Sequence, residues 1–375
     1  MLDVNDRRLL TPLLRQELHA IAARAGTLDH DNSFPAQDIA SLAASGTLAA
    51  PFARPANGAT TRDPDDLLEA LQSIGHASLA LGRLFEGHVN AAGLIQRYGT
   101  PRQQDNAAQD AQAGALFGIW NTEGPDGVRL IRRDDHLELS GSKTFASGAG
   151  HVTCPLITAR EETGGLIMVL PKLDTSPRAD LPAWKAHGMR ASASGTFCLS
   201  GLRVDPEHII GQAGDYHRQP QFSAGAWRFC AVQLGGIERL VEEARTFLRT
   251  HGRDADPHQR ARMGEAMIAV ETAQLWMERA ARIAEAEETQ ANEDAAENAV
   301  AYVNLARCAV ERCGLQVMEL VQRSIGLSAF LRTNPVERLC RDLSTYLRQP
   351  APDRALCEGA AYGLRQERAL RELWR

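Results

Sequence analysis

The sequence predicts an α+β fold in which helical parts flank a β-sheet. Apolar residues recur at helical spacing through the first 115 residues, and short alternating runs broken by Gly, Pro and Asp follow up to residue 212. Three helical patterns then follow, each longer than roughly twenty residues. We therefore expect an N-terminal α-helical domain (1–115), a middle β-sheet or barrel domain (116–212) and a C-terminal four-helix bundle (213–375).

Five helices are predicted in the N-terminal part. The first two cover residues 9–24 and 36–46, and Asp63 caps a third whose leucines continue at helical spacing to Leu84. A short helix is expected before Tyr98, and Pro101 opens a polar helix. A plain helical bundle would give the same pattern.

The sequence pattern of the middle part predicts a small antiparallel sheet or barrel. Residues 117–120 are typical of a half-buried strand, and Gly124-Pro125-Asp126-Gly127 predicts a turn. Alternation returns at 136–139 before a second predicted turn at Ser140-Gly141. Further strands are expected at 152–158, 166–170, 196–199 and 202–204.

The long C-terminal helices are rich in alanine and other small residues, which favours close helix packing. Gly235-Gly236 lies within the first of them, and we interpret the pair as a close helix contact. A bundle of this kind commonly forms oligomers.

Charge, composition and missing motifs limit the classes of partner and cofactor site that we expect. A net charge of −6 and a pI near 6.0 argue against general nucleic-acid binding. No apolar stretch could span a bilayer, and residues 1–6 lack a signal-peptide layout, so we expect a cytoplasmic protein. The seven cysteines form no Cys-x-x-Cys pair, which predicts neither disulfides nor a metal site. There is no Gly-x-Gly-x-x-Gly or Walker pattern.

Two runs carry flat rings and hydroxyls beside glycine-rich bends. They are Phe117–Gly124, with Trp120 and Thr122, and Leu139–Gly150, with Phe145 and Ser147. A planar ligand with polar edges would fit such a surface.

These runs, with 185–192 and 202–206, resemble the middle domain of the acyl-CoA dehydrogenase superfamily. The resemblance implies an FAD cofactor whose ring contacts Thr122, Phe145 and Ser147, with Trp120 beside them. The family pattern has a ligand-binding hydroxyl where this chain has Val128.

The resemblance implies a second cofactor contact at Arg249-Thr250-His251-Gly252. The family pattern is Arg-x-x-Phe-Gly, whose arginine reaches the FAD diphosphate of a neighbouring subunit. Aligned on the glycine, its arginine position is Leu248 and its phenylalanine position is His251. Arg249 could reach a phosphate from the adjacent position, or it could simply stabilise a helix C-terminus.

A third motif comprises residues 322–327 and 334–342. It resembles the family's Gln-x-x-Gly-Gly and Pro-Val-Glu-Arg-x-x-Arg-Asp, and the second part is the most specific match in the chain. The resemblance implies that Gly326 approaches the adenine half of FAD, with Arg323 as a further candidate contact.

The expected catalytic base is displaced. In most of the family a glutamate lies about eight residues after the Arg-Asp pair and removes the substrate α-proton. Here that position is Pro350. Glu358 is the best remaining candidate, Asp353 is weaker, and a solvated helix carboxylate is the alternative interpretation of Glu358.

The resemblance thus implies FAD-dependent α,β-oxidation of an acyl thioester or another organic substrate. An acceptor such as an electron-transfer flavoprotein would take the electrons. The resemblance also implies a homodimer or homotetramer built through the C-terminal domain. The missing base leaves open a reduced-flavin-dependent monooxygenase on the same fold, which does not need the glutamate, and also a non-catalytic flavin-binding protein.

Overall fold

The computed structural model describes residues 8–53, 63–174 and 177–374, so the N-terminal residues used above for localisation lie outside the described part. Helices form the first part of the chain. They are α1 (Pro12–Ala25), α2 (Ala36–Ala44), α3 (Pro64–Ala77), α4 (Leu79–Tyr98) and α5 (Pro101–Gln112). Thr100 and Gln103 form a capping box that begins α5.

The helix boundaries differ from prediction around residue 78. Ser78 has extended backbone, and its hydroxyl accepts a hydrogen bond from the Leu81 amide at 3.3 Å. It therefore ends α3 and caps α4, because a serine hydroxyl satisfies a free amide at a helix start. From there α4 continues unbroken to Tyr98, where we had expected a separate short helix.

Among the described residues, the middle part is one sheet of nine strands. The strands are β1 (Phe117–Trp120), β2 (Glu123–Arg132), β3 (Leu137–Ala146), β4 (Cys154–Arg160), β5 (Leu166–Val169), β6 (Ala179–Asp180), β7 (Gly195–Cys198), β8 (Leu202–Val204) and β9 (Ile209–Ile210). Their order is β6-β7-β3-β2-β4-β5-β9, with β1 on β4 and β8 on β3. The pairings are mostly antiparallel, as predicted, but β4 pairs in parallel with both β1 and β2.

Both turns predicted inside this sheet are wrong. Residues 124–127 lie within β2, as an irregularity in its pairing with β3 between Glu123 and Val128. Gly141 lies inside β3 with φ of +109°, where an added Cβ would approach the Gly127 carbonyl oxygen to 1.7 Å. The glycines therefore allow a bulge, since only glycine tolerates both this conformation and this approach.

The last part of the chain is helical again. Its helices are α6 (Gln221–Ala224), α7 (Trp227–Thr250), α8 (Pro257–Glu285), α9 (Glu287–Ala291), α10 (Glu293–Ile325), α11 (Pro335–Tyr346) and α12 (Pro352–Arg365). The three long helices are as predicted, but two shorter ones, α11 and α12, stand where a single fourth helix would complete the bundle. The change of element type agrees with the expected parts, and the domain boundaries themselves stay predictions.

The N-terminal helices pack directly on the C-terminal ones. A Cβ on Gly235 of α7 would lie 2.0 Å from the Gln72 carbonyl oxygen of α3. A Cβ on Gly75 of α3 would lie 2.3 Å from the Val232 carbonyl oxygen of α7. These glycines therefore bring the two helix backbones together, as the Gly235-Gly236 pair predicted.

The Arg-Asp end of the third motif ties the three parts together. On α11, the Asp342 carboxylate accepts a hydrogen bond from the Met189 amide at 2.6 Å, which fixes the loop before β7. Arg341 donates to the His187 carbonyl at 2.8 Å and pairs with Asp29 before α2. The motif therefore has a structural role, which its resemblance to a cofactor-binding pattern did not reveal.

A buried lysine fixes the ends of four strands. The Lys143 side chain is fully buried, and its ammonium group donates to the Asn121 carbonyl at 3.1 Å and the Glu123 carboxylate and Thr158 hydroxyl at 2.9 Å. Burial lowers the pKa of Lys143, and the Glu123 carboxylate opposes that effect. All three protons are therefore used, and Thr122 is held between two of the acceptors.

His88 on α4 joins two other segments. Its Nε2–H donates to the Leu48 carbonyl at 2.8 Å, and its Nδ1 accepts from the Phe117 amide at 3.1 Å. An imidazole in this position must be neutral, because one nitrogen accepts. Burial lowers the pKa of His88 to about 4.

Replacing Lys143 should destabilise the protein. Lys143→Met removes three hydrogen bonds and leaves buried acceptors, so we expect the free energy of unfolding in urea to fall by about 2–4 kcal/mol. Lys172→Met is the control: Lys172 is exposed and paired with Asp110, so its loss should cost less than about 1 kcal/mol. Equal effects of the two substitutions would contradict the role given to Lys143.

Acid should weaken the fold through His88. Its folded pKa lies below the ordinary value of 6.5, so the unfolded chain binds more protons and stability is lost as pH falls from 6.5 towards 4. The loss attributable to His88 is about 3 kcal/mol at the low end. In urea titrations, the stability difference between wild type and His88→Gln should narrow over this range. Parallel pH profiles would refute the assignment.

Candidate functional site

The structure brings together the four residues predicted to contact a flat ligand. The Trp120 indole Nε1 donates to the Ser147 carbonyl at 3.0 Å, which joins the end of β1 to the end of β3. The Thr144 amide donates to the Thr122 carbonyl at 3.0 Å. We call Trp120, Thr122, Phe145 and Ser147 the strand edge. Trp120 is buried beneath it, whereas Thr122 is exposed.

Phe145 is the unusual residue of the strand edge. Its side chain is 60% exposed, and its backbone has φ of +51°, which non-glycine residues rarely adopt. The ring meets Trp184 edge to face, with centroids 5.6 Å apart. A strained backbone that holds an aromatic ring in the open is typical of a ligand contact.

A row of serine hydroxyls leads to Ser147. The Ser192 and Ser194 hydroxyl oxygens are 2.8 Å apart, and Ser194 donates towards the Ser147 hydroxyl at 3.4 Å. Ser192 and Ser194 are buried in the loop that Asp342 holds at Met189. The sequence pattern did not reveal this row, although Ser192 is the last residue of the run 185–192 that contributes to the resemblance.

The other predicted cofactor residues lie elsewhere. Arg249 and Thr250 end α7, and His251 follows; the His251 ring stacks on Phe247. Arg323 is in the last turn of α10, with Glu319 at 3.5 Å. Gly326 has φ of +78° and open space around it. The hydrogen bonds and ring contacts of the described residues do not join these positions to the strand edge.

The expected base position holds no carboxylate. Pro350 lies between α11 and α12, and its carbonyl accepts a hydrogen bond from Arg307 at 2.8 Å. Glu358 is on α12, where its half-exposed carboxylate accepts from Arg354 Nε at 2.7 Å and from Asn304 at 3.4 Å. None of these contacts reaches the strand edge, and a catalytic role for Glu358 stays a prediction.

A hydrogen-bonded network of buried and partly buried charged groups lies where α4 meets the start of α7. Glu86 accepts from both Arg83 and Asn90, and Arg228 Nη1 donates to Asn90 at 3.2 Å. Arg228 also pairs with Glu285, which accepts from the Trp227 indole at 3.0 Å. We call this network and two adjacent tyrosines the polar cluster: Arg83, Glu86, Asn90, Arg228, Glu285, Tyr216 and Tyr346.

The two tyrosines lie in the electrostatic field of the Arg83–Glu86 pair. Burial raises the pKa of both hydroxyls, and the Glu86 charge raises it further, so both are neutral near pH 7. The Tyr346 hydroxyl is buried and has no hydrogen-bond partner among the described residues. A buried polar group without a partner is costly, and ligand sites are one place where it occurs.

The polar cluster and the strand edge are neighbours across α4. A Cβ on Gly148, the residue after Ser147, would lie 3.1 Å from Leu84 of α4. Leu84 is next to Arg83 in the chain. Gly87 of α4 also packs on β1, near Gly118. Ligand pockets often form where domains meet, and the two groups flank such a junction.

Two kinds of feature are absent from the described residues. The described residues form no group of three or more His, Cys, Asp or Glu side chains that could hold a metal ion. Within the same ranges, no helix combines the length and apolar character needed to cross a membrane.

Comparison with known proteins relates the chain to flavoenzymes. Residues 228–348 match the family model described as acyl-CoA dehydrogenase, C-terminal domain. A probable FMNH2-dependent monooxygenase, SfnC of Pseudomonas putida, is 24% identical over 81% of this chain and 82% of its own. Dibenzothiophene monooxygenase of Rhodococcus erythropolis is 25% identical over 58% of this chain and 59% of its own length, so the match spans less than two thirds of that enzyme.

Dehydrogenases match as well: the glutaryl-CoA dehydrogenase of Desulfococcus multivorans is 25% identical over 61% of this chain and 61% of its own. The crystal structure of FMN-bound TdsC from Paenibacillus sp. A11-2 superposes with a TM-score of 0.83. It is 19% identical, over 96% of this chain and 98% of that chain, which shows a common fold. Residues 228–348 thus resemble the C-terminal domain of acyl-CoA dehydrogenases, and the whole chain shares the fold of the superposed TdsC structure.

Proposed function

We propose that this protein is a reduced-flavin-dependent monooxygenase acting on a small organic molecule, in place of the acyl-thioester dehydrogenase that the sequence first suggested. The observation that carries the proposal is the base position. Pro350 cannot accept a proton, and Glu358 is bound by Arg354 on α12. A dehydrogenase needs a carboxylate at the substrate α-carbon, whereas oxygen transfer does not.

The polar cluster also disfavours an acyl chain. Arg83, Glu86 and Arg228 place charges beside the predicted cofactor position, and an apolar chain laid against them would offer no hydrogen bonds. Removing water from such groups without replacing its hydrogen bonds is unfavourable. A polar substrate suits this interior better. The monooxygenases among the related proteins support oxygen transfer over dehydrogenation.

We propose FMN as the flavin, in place of the predicted FAD. The strand edge fits a flavin ring: Phe145 offers an exposed aromatic face, and the hydroxyls of Thr122 and Ser147 could bond its polar edge. The strand edge involves only the flavin ring, which FMN and FAD share, and the ADP half of FAD was assigned to residues elsewhere, such as Arg249 and Gly326. FMN lacks that half, and it is the flavin of the superposed TdsC structure.

A bound reduced flavin would supply two electrons and two protons, so that one atom of O2 enters the substrate and the other leaves as water. The chain's own residues would position the flavin ring and shield it. Lys143 holds Thr122 in place, Trp120 closes the back of the strand edge, and the serine row fixes the Ser147 hydroxyl. A source of reduced flavin then replaces the electron-transfer flavoprotein as partner, and the predicted homodimer or homotetramer stays a prediction.

Oxygen transfer can be tested with labelled gas. Protein, chemically reduced FMN and ¹⁸O2 are mixed with methanesulfinate or dibenzothiophene, the compounds named for the structurally similar MsuC of Pseudomonas fluorescens and for the related dibenzothiophene monooxygenase. The masses of the products are then measured by mass spectrometry. We expect one ¹⁸O atom per product molecule, and none when the label is in water. Flavin oxidation without labelled product from either compound would count against the proposal.

The strand edge should control flavin affinity. Phe145→Ala removes an aromatic face of the kind worth about 1.4 kcal/mol, so the Kd for FMN should rise about tenfold. Leu364→Ala, which trims a side chain that is 88% exposed on α12, should leave the Kd unchanged. Flavin fluorescence titration measures both values. Unchanged affinity in Phe145→Ala would remove the strand edge as the flavin site.

A substitution of Glu358 distinguishes a monooxygenase from a dehydrogenase. In a monooxygenase, Glu358→Gln should keep turnover within about twofold of wild type, because the carboxamide retains the Asn304 contact and a carboxylate base is not required. In a dehydrogenase that uses Glu358, the same change should abolish turnover while flavin stays bound. Steady-state rates with matched flavin occupancy distinguish these results.

A further inference from the structure

Left-handed backbone conformations are concentrated at the strand edge and in the loop beside it. Among the described residues, five that are not glycine have positive φ, and four of these are Asn32, Phe145, Met189 and Ala193. Asn32 lies in the segment before α2, and Phe145 belongs to the strand edge. Met189 and Ala193 stand at the two ends of a short turn, and we call residues 189–194, which include it, the serine loop. Non-glycine residues keep such conformations only where surrounding contacts hold them, and they cluster at ligand sites.

Two backbone hydrogen bonds join the serine loop to the residues that follow Ser147. The Gly148 amide donates to the Ser192 carbonyl at 2.9 Å. The Ala149 amide donates to the Ala193 carbonyl at 3.0 Å. A movement of the serine loop would therefore also move the backbone that carries the Ser147 hydroxyl, which is one of the groups proposed to bond the flavin ring.

Arg190 holds the serine loop against the segment before α2. Its Nε donates to the Asp31 carboxylate at 2.8 Å, and its Nη1 lies 3.6 Å from the Asp29 carboxylate. The carbonyl of Ser33, in the same segment, accepts from the Ala193 amide at 3.1 Å. The Arg190 side chain is 23% exposed and that of Asp29 is 15% exposed, so water screens this pair little. Arg190 is the only charged residue of the serine loop.

We propose that Arg190 is a positioning residue for the flavin, which sets the Ser147 hydroxyl by holding the serine loop in its left-handed conformation. Without the ion pairs of Arg190, Met189 and Ala193 would relax towards right-handed or extended backbone, and the loop would draw the residues after Ser147 with it. Arg190 acts through the loop and is given no contact with the ligand. The proposal rests on the proposed function for the place of the flavin at the strand edge.

Removing the charge of Arg190 should weaken flavin binding by the folded protein. In fluorescence titrations of the full-length chain, Arg190→Gln should raise the Kd for FMN about tenfold. Arg282→Gln is the control: Arg282 on α8 also donates through Nε to an aspartate, Asp65, at 3.0 Å, and its loss should leave the Kd unchanged. An unchanged Kd in Arg190→Gln, while Phe145→Ala still weakens binding, would overturn this proposal and leave the flavin site at the strand edge standing.

A rescue experiment distinguishes positioning from general support of the fold. Glycine adopts left-handed backbone readily, so a serine loop with Ala193→Gly depends less on the ion pairs of Arg190. Alone, Ala193→Gly should leave the Kd for FMN unchanged. Combined with Arg190→Gln, it should bring the Kd back to within about threefold of wild type, because the loop again keeps its conformation. A double variant that binds FMN no better than Arg190→Gln would contradict the proposal.

Asp31→Asn provides the same comparison if Arg190→Gln does not fold. The Asp31 side chain is 70% exposed, so its substitution should leave the fold intact. We expect its Kd for FMN to rise about threefold, since Arg190 keeps its pairing with Asp29. An unchanged Kd in Asp31→Asn would then count against the proposal. A wild-type protein that binds no FMN would overturn both this proposal and the proposed function.

Discussion

The ammonium group of Lys143 is the constraint on which the candidate site depends. A charge buried this completely must find acceptors for all its protons, and it finds them on Asn121, Glu123 and Thr158. Glu123 in turn accepts from the Val128 amide at 2.6 Å, which fixes the bulge in β2. Both chain neighbours of Thr122 are therefore held by Lys143, which orders the exposed face of the strand edge.

A second set of contacts fixes the position of the strand edge relative to the helices. Arg341 and Asp342 on α11 bind the loop that carries Met189 and, through Asp29, the segment before α2. The same loop carries the serines that lead to Ser147. Contacts between parts of the chain far apart in sequence thus determine where the strand edge and the polar cluster meet.

The sequence predicted much of the fold and half of the site. Helices with strong periodicity were predicted well, and the strand edge was found because its residues stand in two short runs on neighbouring strands. We predicted a turn at Gly124–Gly127 because these residue types favour turns. In the structure they form a bulge within β2, because that strand pairs with β3 on both sides of them. Sequence alone could not distinguish a turn between two strands from a bulge within one strand.

The polar cluster could not be predicted in the same way. Arg83, Glu86 and Asn90 look like the polar face of an ordinary helix, and their partner Arg228 is 138 residues away from Asn90 in the chain. Only the packing of α4 on α7 buries these charges together. The cluster nevertheless changes the functional conclusion, because charged groups beside the strand edge favour a polar substrate over an acyl chain.

We propose that this protein transfers oxygen to its substrate and does not dehydrogenate acyl thioesters. The most direct measurement is the visible spectrum of the flavin-loaded protein, titrated with a panel of acyl-CoAs in the absence of oxygen. Our account predicts that the oxidised flavin band persists with every acyl-CoA. Bleaching of that band by any of them would show that the protein removes hydride from acyl thioesters, and it would contradict the account.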